Sequence, residues 1–105
     1  MITAYVYILR CADNSYYVGS HRGDDLETRV SQHQTGTFPD AYTSKRRPVT
    51  LVWSERFTRF DDAVAFERRV KGWSRAKKDA LIRGDFDALK FLAKRPGVRA
   101  KRSSS

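Results

Sequence analysis

The stretch that most restricts the fold is YVYILRCADNSYYVG, Tyr5 to Gly19. Two runs of β-branched and aromatic residues flank a short Ala12-Asp13-Asn14 segment, the layout of a β-hairpin. Turn length then decides which side chains share a face. Asn14 tolerates the left-handed backbone that closes a three-residue hairpin loop. With that loop, Cys11 pairs with Ser15, Leu9 with Tyr17 and Tyr7 with Gly19. Side chains alternate along a strand, so Tyr5, Tyr7, Leu9, Tyr17 and Gly19 all project the same way. Tyr7 and Tyr17 become diagonal neighbours, about 7–8 Å apart at the backbone, and their phenols converge. A two-residue loop would put them on opposite faces. Opposite Tyr7, Gly19 lacks a side chain and leaves room for a group to approach the backbone beside the Tyr7 hydroxyl. Tyrosine is also a good strand former and glycine a common strand end, so the hairpin alone suits a structural role equally well.

Beyond the hairpin the apolar period changes from two to that of a helix. DDLETRVSQH is capped by Asp24 or Asp25, Glu27 suits its positive N-terminal end, and Leu26, Val30 and His33 share a face. His21, in the loop after Gly19, is expected to be exposed. A further loop with Gly36, Pro39 and Pro48 precedes a third strand, VTLVWSE, Val49 to Glu55. A second helix starts at Asp61 or Asp62 and runs to Lys71, with Gly72 just past its end. Ser74 caps a third, RAKKDALI, which stops at Gly84, and Asp85 caps a fourth, FDALKFLA. The order β-β-α-β-α-α-α predicts an α+β fold, a small three-stranded antiparallel sheet flanked by helices. Residues 1–93 are expected to form one domain and residues 94–105, KRPGVRAKRSSS, a basic disordered tail.

Charge narrows the partners. The 105 residues carry 21 Lys and Arg against 12 Asp and Glu, a net charge of +9. Five of those basic residues and none of the acids lie in 94–105, which leaves +4 on residues 1–93. Such a surplus favours polyanions through counterion release and points to nucleic acid. Candidate backbone contacts are Lys45-Arg46-Arg47, Arg68-Arg69-Lys71 and Arg75-Lys77-Lys78, although charge runs are most often solvated faces. Tyr42 and Trp73 are candidate base-stacking groups, with the core the more usual place for Trp73. The single cysteine, Cys11, excludes an internal disulfide and an all-cysteine metal cage. No apolar run approaches the roughly 18 residues of a membrane span, and the first residues lack a signal-peptide layout. A cytoplasmic location is therefore expected.

One carboxylate stands out of place. In the second helix Ala63, Phe66 and Val70 define a core-facing stripe, and the remaining position of that stripe is Glu67. A buried carboxylate requires a cation, either a basic side chain or a divalent metal bound through oxygen. Arg68, Arg69 or Arg29 can provide the former, and a Glu67 at the stripe's edge would simply reach solvent. In the first helix Arg29 and His33 are neighbours four residues apart. The arginine fork matches phosphate oxygens. His33 can bond a tyrosine or phosphate, move a proton, or merely cap the helix end.

Taken together, Tyr5-Val6-Tyr7, Tyr17-Val18-Gly19, Arg29, His33 and Glu67 make the chain resemble a small stand-alone member of the GIY-YIG endonuclease superfamily. YVY and YVG stand where the two family triplets would be. TRVSQH resembles the helix carrying the family's arginine and histidine, with Gln34 where many relatives have asparagine. FERRVKGWSRAKKDALI resembles the glutamate helix and the lysine-rich run of short bacterial members. The match spans roughly residues 5–83.

This resemblance implies a metal-dependent endonuclease that hydrolyses phosphodiester bonds in DNA. Tyr7 would be the general base or water-positioning phenol, supported by Tyr17. Arg29 would stabilise charge on phosphorus, His33 would orient or relay a proton to a tyrosine, and Glu67 would hold Mg²⁺ or Mn²⁺. A phenol with an ordinary pKa near 10 needs positive charge nearby to act as a base at neutral pH. Two other readings stay open: a nucleic-acid-binding module on the same fold with weak or lost cleavage, and a basic interaction protein whose tyrosines and Glu67 are structural.

Overall fold

The structure, a computed structural model, describes residues 3–37 and 42–93, the last four by backbone alone. The elements are β1 (Ala4–Arg10), β2 (Tyr16–Arg22), α1 (Leu26–Thr35), a single 3₁₀ turn (Tyr42–Lys45), β3 (Thr50–Phe57), α2 (Phe60–Lys71), α3 (Arg75–Arg83) and α4 (Phe86–Ala93). They form the expected α+β arrangement. The proposed tail at 94–105 lies outside the described residues. The chain divides into two compact units, one ending at Gly72 and one beginning at Trp73.

The first unit holds an antiparallel sheet in the order β2-β1-β3. β1 takes the centre because it is the most apolar strand. Ala4, Val6, Tyr7, Ile8 and Leu9 are all completely buried, which demands cover on both faces. The hairpin register agrees with the three-residue loop: Tyr7 pairs with Gly19 and Leu9 with Tyr17. Asn14 adopts φ 69°, as that turn requires, and the Cys11 N–H donates to the Ser15 carbonyl at 2.8 Å. β2 continues to Arg22, so His21 is a half-buried strand residue instead of an exposed loop residue. β3 starts at Thr50 and extends to Phe57, beyond the expected Glu55, and its ladder with β1 shifts register between Ile8 and Leu9.

Each sheet face has its own cover. On one, Tyr7, Leu9, Cys11 and Val49 form a core cluster against Tyr17 and the α1 residues Leu26 and Val30. On the other, Phe66 of α2 packs between Trp53 and Phe57 of β3, with ring centroids 6.0 and 5.7 Å away. Ala63 and Val70 are fully buried as their spacing required. Burying a valine of this kind contributes about 1.5–3 kcal/mol. α2 begins at Phe60, before either expected aspartate, and its N-cap Arg59 makes no side-chain cap bond. Asp61 and Asp62 instead sit in the first turn, where negative charge suits the helix dipole.

In the second unit, α3 and α4 pack together. The Ser74 hydroxyl caps α3 by accepting from the Lys77 N–H at 3.2 Å, and Asp85 caps α4 by accepting from the Ala88 N–H at 3.0 Å. Gly84 ends α3 in the left-handed conformation at φ 71°. The Lys77 ammonium lies 4.3 Å from the centre of the half-buried Trp73 ring. No helix among the described residues is long and apolar enough to cross a membrane.

Candidate active site

The central strand delivers Tyr7 and the edge strand delivers Tyr17 to the α1 face, with ring centroids 6.3 Å apart. Tyr7 is fully buried, whereas Tyr17 is half-buried and retains contact with solvent. A Cβ on Gly19 would lie 2.7 Å from both Cζ and Oη of Tyr7 and 2.9 Å from Cε2 of Tyr17. The vacancy expected above Gly19 is thus already filled, by the two phenols themselves.

α1 presents the next two groups. Its N-cap Asp25 accepts from the Thr28 N–H at 3.0 Å, and Gly36 closes its C-terminus in the left-handed conformation at φ 75°. One helical turn separates Arg29 from His33, and both turn toward the phenols. Nε2 of His33 lies 3.0 Å from the Tyr7 hydroxyl, and Nδ1 lies 2.7 Å from the Thr43 hydroxyl. The Arg29 guanidinium also acts on the Tyr7 oxygen, favouring its ionised form. The His33 ring sits 5.0 Å from that of Tyr17, centre to centre.

Burial dominates the electrostatics. It pushes the Tyr7 pKa up to about 12, helped by Tyr17 and Glu67 and only partly offset by Arg29. Burial, and then Arg29, lowers the pKa of His33. Near pH 7 the pair is therefore a neutral phenol beside a neutral imidazole. Tyr7 cannot wait as a free phenolate. The group placed beside its hydroxyl to exchange a proton is His33, at 3.0 Å.

Glu67 approaches from the opposite sheet face. Its side chain is 13% exposed, and its carboxylate is 2.6 Å from the Lys71 ammonium one turn along α2. It also accepts a hydrogen bond from Ser20, the residue after Gly19. Burial alone would raise its pKa, but the bonds from Lys71 and Ser20 bring the net shift below the ordinary value. The cation paired with Glu67 is Lys71, which was expected among the nucleic-acid contacts, while Arg68 contributes its charge from further away. Gly19, against the phenols, and Ser20, beside the carboxylate, are consecutive on the edge strand β2, and the Glu67 charge acts on Tyr7. Among the described residues no three His, Cys, Asp or Glu side chains cluster as a metal cage.

The remaining expected residues are placed as follows. Arg46 lies over the Tyr42 ring at 3.8 Å and pairs with Asp13 of the hairpin turn at 3.1 Å. Tyr42 in turn stacks on Tyr17 with centroids 6.3 Å apart. Arg47 donates to the carbonyls of Ser44 and Gln34. Both arginines thus brace the loop. Lys45, Arg68 and Arg69 are exposed, Lys77 and Lys78 are half-buried, and Arg75, in the second unit, is exposed. Gln34 grips Val49 on both sides, donating to its carbonyl at 2.9 Å and accepting from its N–H at 2.8 Å. Thr43 and Ser20 carried no local sequence signal, since each acquires its partner through the tertiary fold, whereas the spacing of four between Glu67 and Lys71 on one helix is itself a local signal for their pairing.

Comparison with known proteins adds the family. A model described as the GIY-YIG catalytic domain matches residues 3–79. A UPF0213 protein of Bacillus pumilus is 42% identical over 78 residues, covering 74% of this chain and 76% of that protein. A UPF0213 protein of Natronomonas pharaonis is also 42% identical over 78 residues, covering 74% of this chain and 88% of the relative. The solution NMR structure of the UPF0213 protein BH0048 from Bacillus halodurans superposes with a TM-score of 0.50 at 33% identity, covering 89% of this chain and 99% of that one.

Proposed function

The chain belongs to the GIY-YIG catalytic-domain family, and from that premise we propose that it is a divalent-metal-dependent endonuclease acting on DNA. The observation that carries this reading is the 3.0 Å contact between the Tyr7 hydroxyl and Nε2 of His33. It supplies a base without requiring a phenolate in the resting site. An attacking water gives its proton to Tyr7 Oη as the Tyr7 proton moves to His33. The water oxygen forms the new bond to phosphorus, and the bond to the leaving sugar oxygen breaks. That oxygen departs with the electron pair and is protonated by solvent. Arg29 turns from Tyr7 to the phosphate, where its fork offsets the charge building on the equatorial oxygens.

The donor set suits the ion. One hard carboxylate, Glu67, fits Mg²⁺ or Mn²⁺, which keep several waters and share substrate oxygens. Glu67 would hold such an ion, which would supply charge neutralisation for the transition state. Before it binds, Lys71 has to leave Glu67. Lys45, Arg68, Arg69, Arg75, Lys77 and Lys78 are the basic groups suited to the DNA backbone, at a strength set by salt.

A second reading is favoured by the closed resting pocket: a nucleic-acid-binding module with weak or lost cleavage. Incubating purified protein with labelled duplex, branched and single-stranded DNAs, in Mg²⁺ or EDTA, separates the two. Cutting that needs Mg²⁺ and disappears in Glu67→Ala and Tyr7→Phe supports the nuclease. Tight binding with no cutting supports the module.

A further inference from the structure

We propose that Thr43 is a positioning residue that fixes the tautomer of His33, holding the proton on Nδ1 so that Nε2 presents its lone pair to Tyr7. The inference rests on the nuclease reading for its kinetic arm only.

The argument is a count of donors and acceptors in a buried triad. Tyr7, His33 and Thr43 are 0%, 3% and 1% exposed, so water does not satisfy their polar atoms. Arg29, whose charge acts on the Tyr7 oxygen, offers it no acceptor, because a guanidinium can only donate. The remaining polar partner of Tyr7 is Nε2 of His33 at 3.0 Å. A neutral Tyr7 must direct its hydroxyl hydrogen at an acceptor, so Nε2 carries the lone pair. The ring proton then resides on Nδ1 and is donated to the Thr43 oxygen at 2.7 Å. Free histidine in water prefers the opposite tautomer, and the bond at the far nitrogen decides the choice. Thr43 belongs to the 3₁₀ turn Tyr42–Lys45, which Arg46 fastens to the hairpin through Asp13. The turn that carries Tyr42 over Tyr17 therefore also sets which His33 nitrogen can receive a proton.

The test is a ¹⁵N spectrum of full-length protein labelled at histidine, with His21→Gln used to assign the two rings. Wild type is expected to show a protonated Nδ1 and an unprotonated Nε2 at His33. Thr43→Ser is expected to keep that pattern. Thr43→Val, close in shape but without an acceptor, is expected to shift His33 toward the Nε2-protonated form. In a cleavage assay Thr43→Val should lower kcat by about 10²-fold or more at unchanged KM, with Thr43→Ser rescuing it. A wild-type ring protonated on Nε2 overturns the proposal, and this holds even where Thr43→Val fails to fold. Unchanged ring signals in a folded Thr43→Val overturn it as well. Absence of cleavage in wild type would sink the nuclease reading while the ring spectrum still judges Thr43.

Discussion

A Cβ on Gly19 would sit 2.7 Å from the hydroxyl oxygen of Tyr7, its partner across the β1–β2 ladder. Tyr7 is fully buried and held by His33, so it cannot step aside without breaking the site. Gly19→Ala is expected to lower stability by about 1–3 kcal/mol, the usual cost of overpacking, and to suppress cleavage. Urea denaturation and a Mg²⁺-dependent cleavage assay check both. A stable, active variant would mean that the phenols need not lie over this residue.

Glu67 and Lys71 form a pair whose ammonium is about half-exposed, so the pair itself adds little to stability, about 1 kcal/mol or less. Glu67→Gln should leave the denaturation midpoint nearly unchanged and reduce metal-dependent cleavage by about 10²-fold or more. Lys71→Met removes the resident cation and should tighten Mn²⁺ binding in calorimetry. Equal Mn²⁺ affinity in wild type and Lys71→Met would show that Lys71 and the ion do not compete.

His33 sets a pH dependence whose sign follows from burial. Its folded pKa is lowered by burial and by Arg29, below the ordinary value of about 6.5. In the window between the two values the unfolded chain binds more protons. The His33 contribution to stability is therefore full above about pH 6.5 and declines as pH falls toward the folded pKa. Among the described residues, Tyr7, Tyr17, Arg29 and Thr43 stand around the ring. His33→Gln should flatten the stability curve below about pH 6.5 relative to wild type, and parallel curves would refute this. The acid limb of kcat should fall in the same window.

Gln34 bonds both backbone groups of Val49, one of the residues walling the tyrosine core. Gln34→Ala strands that N–H and carbonyl near the core and should cost about 1–3 kcal/mol. Activity per folded molecule should persist, measured below the transition in denaturant titrations.

Removing residues 94–105 takes away five basic residues. DNA affinity should weaken, and the slope of log K against log salt should flatten by about 0.9 for each phosphate that the tail would otherwise neutralise. The cleavage rate at saturating protein should stay the same. An unchanged slope would show that the tail touches no phosphate.

The fold was legible where physics is local. Alternation with an Asn14 turn placed Tyr7 opposite Gly19, and the caps Asp25, Ser74 and Asp85 marked helix starts that their own side-chain bonds hold. The start of α2 was misplaced because no side chain caps it and Phe60 begins the helix through packing. His21 reads as a loop residue in the sequence because Gly19 resembles a strand end, whereas pairing with β1 carries β2 on to Arg22, two residues past Ser20.

What the sequence determined alone was which side chains share a face, because strand and helix periods are properties of the backbone. That was enough to assemble Tyr7 and Tyr17 on one face and to set Arg29 and His33 one turn apart. Tertiary structure decided the rest: that β1 is central and buries Tyr7, that Thr43 reaches His33, and that Ser20 of β2 meets Glu67 of α2. These relations depend on sheet order, burial and rotamer choice, which arise only when distant segments compete for the same space and the same hydrogen bonds.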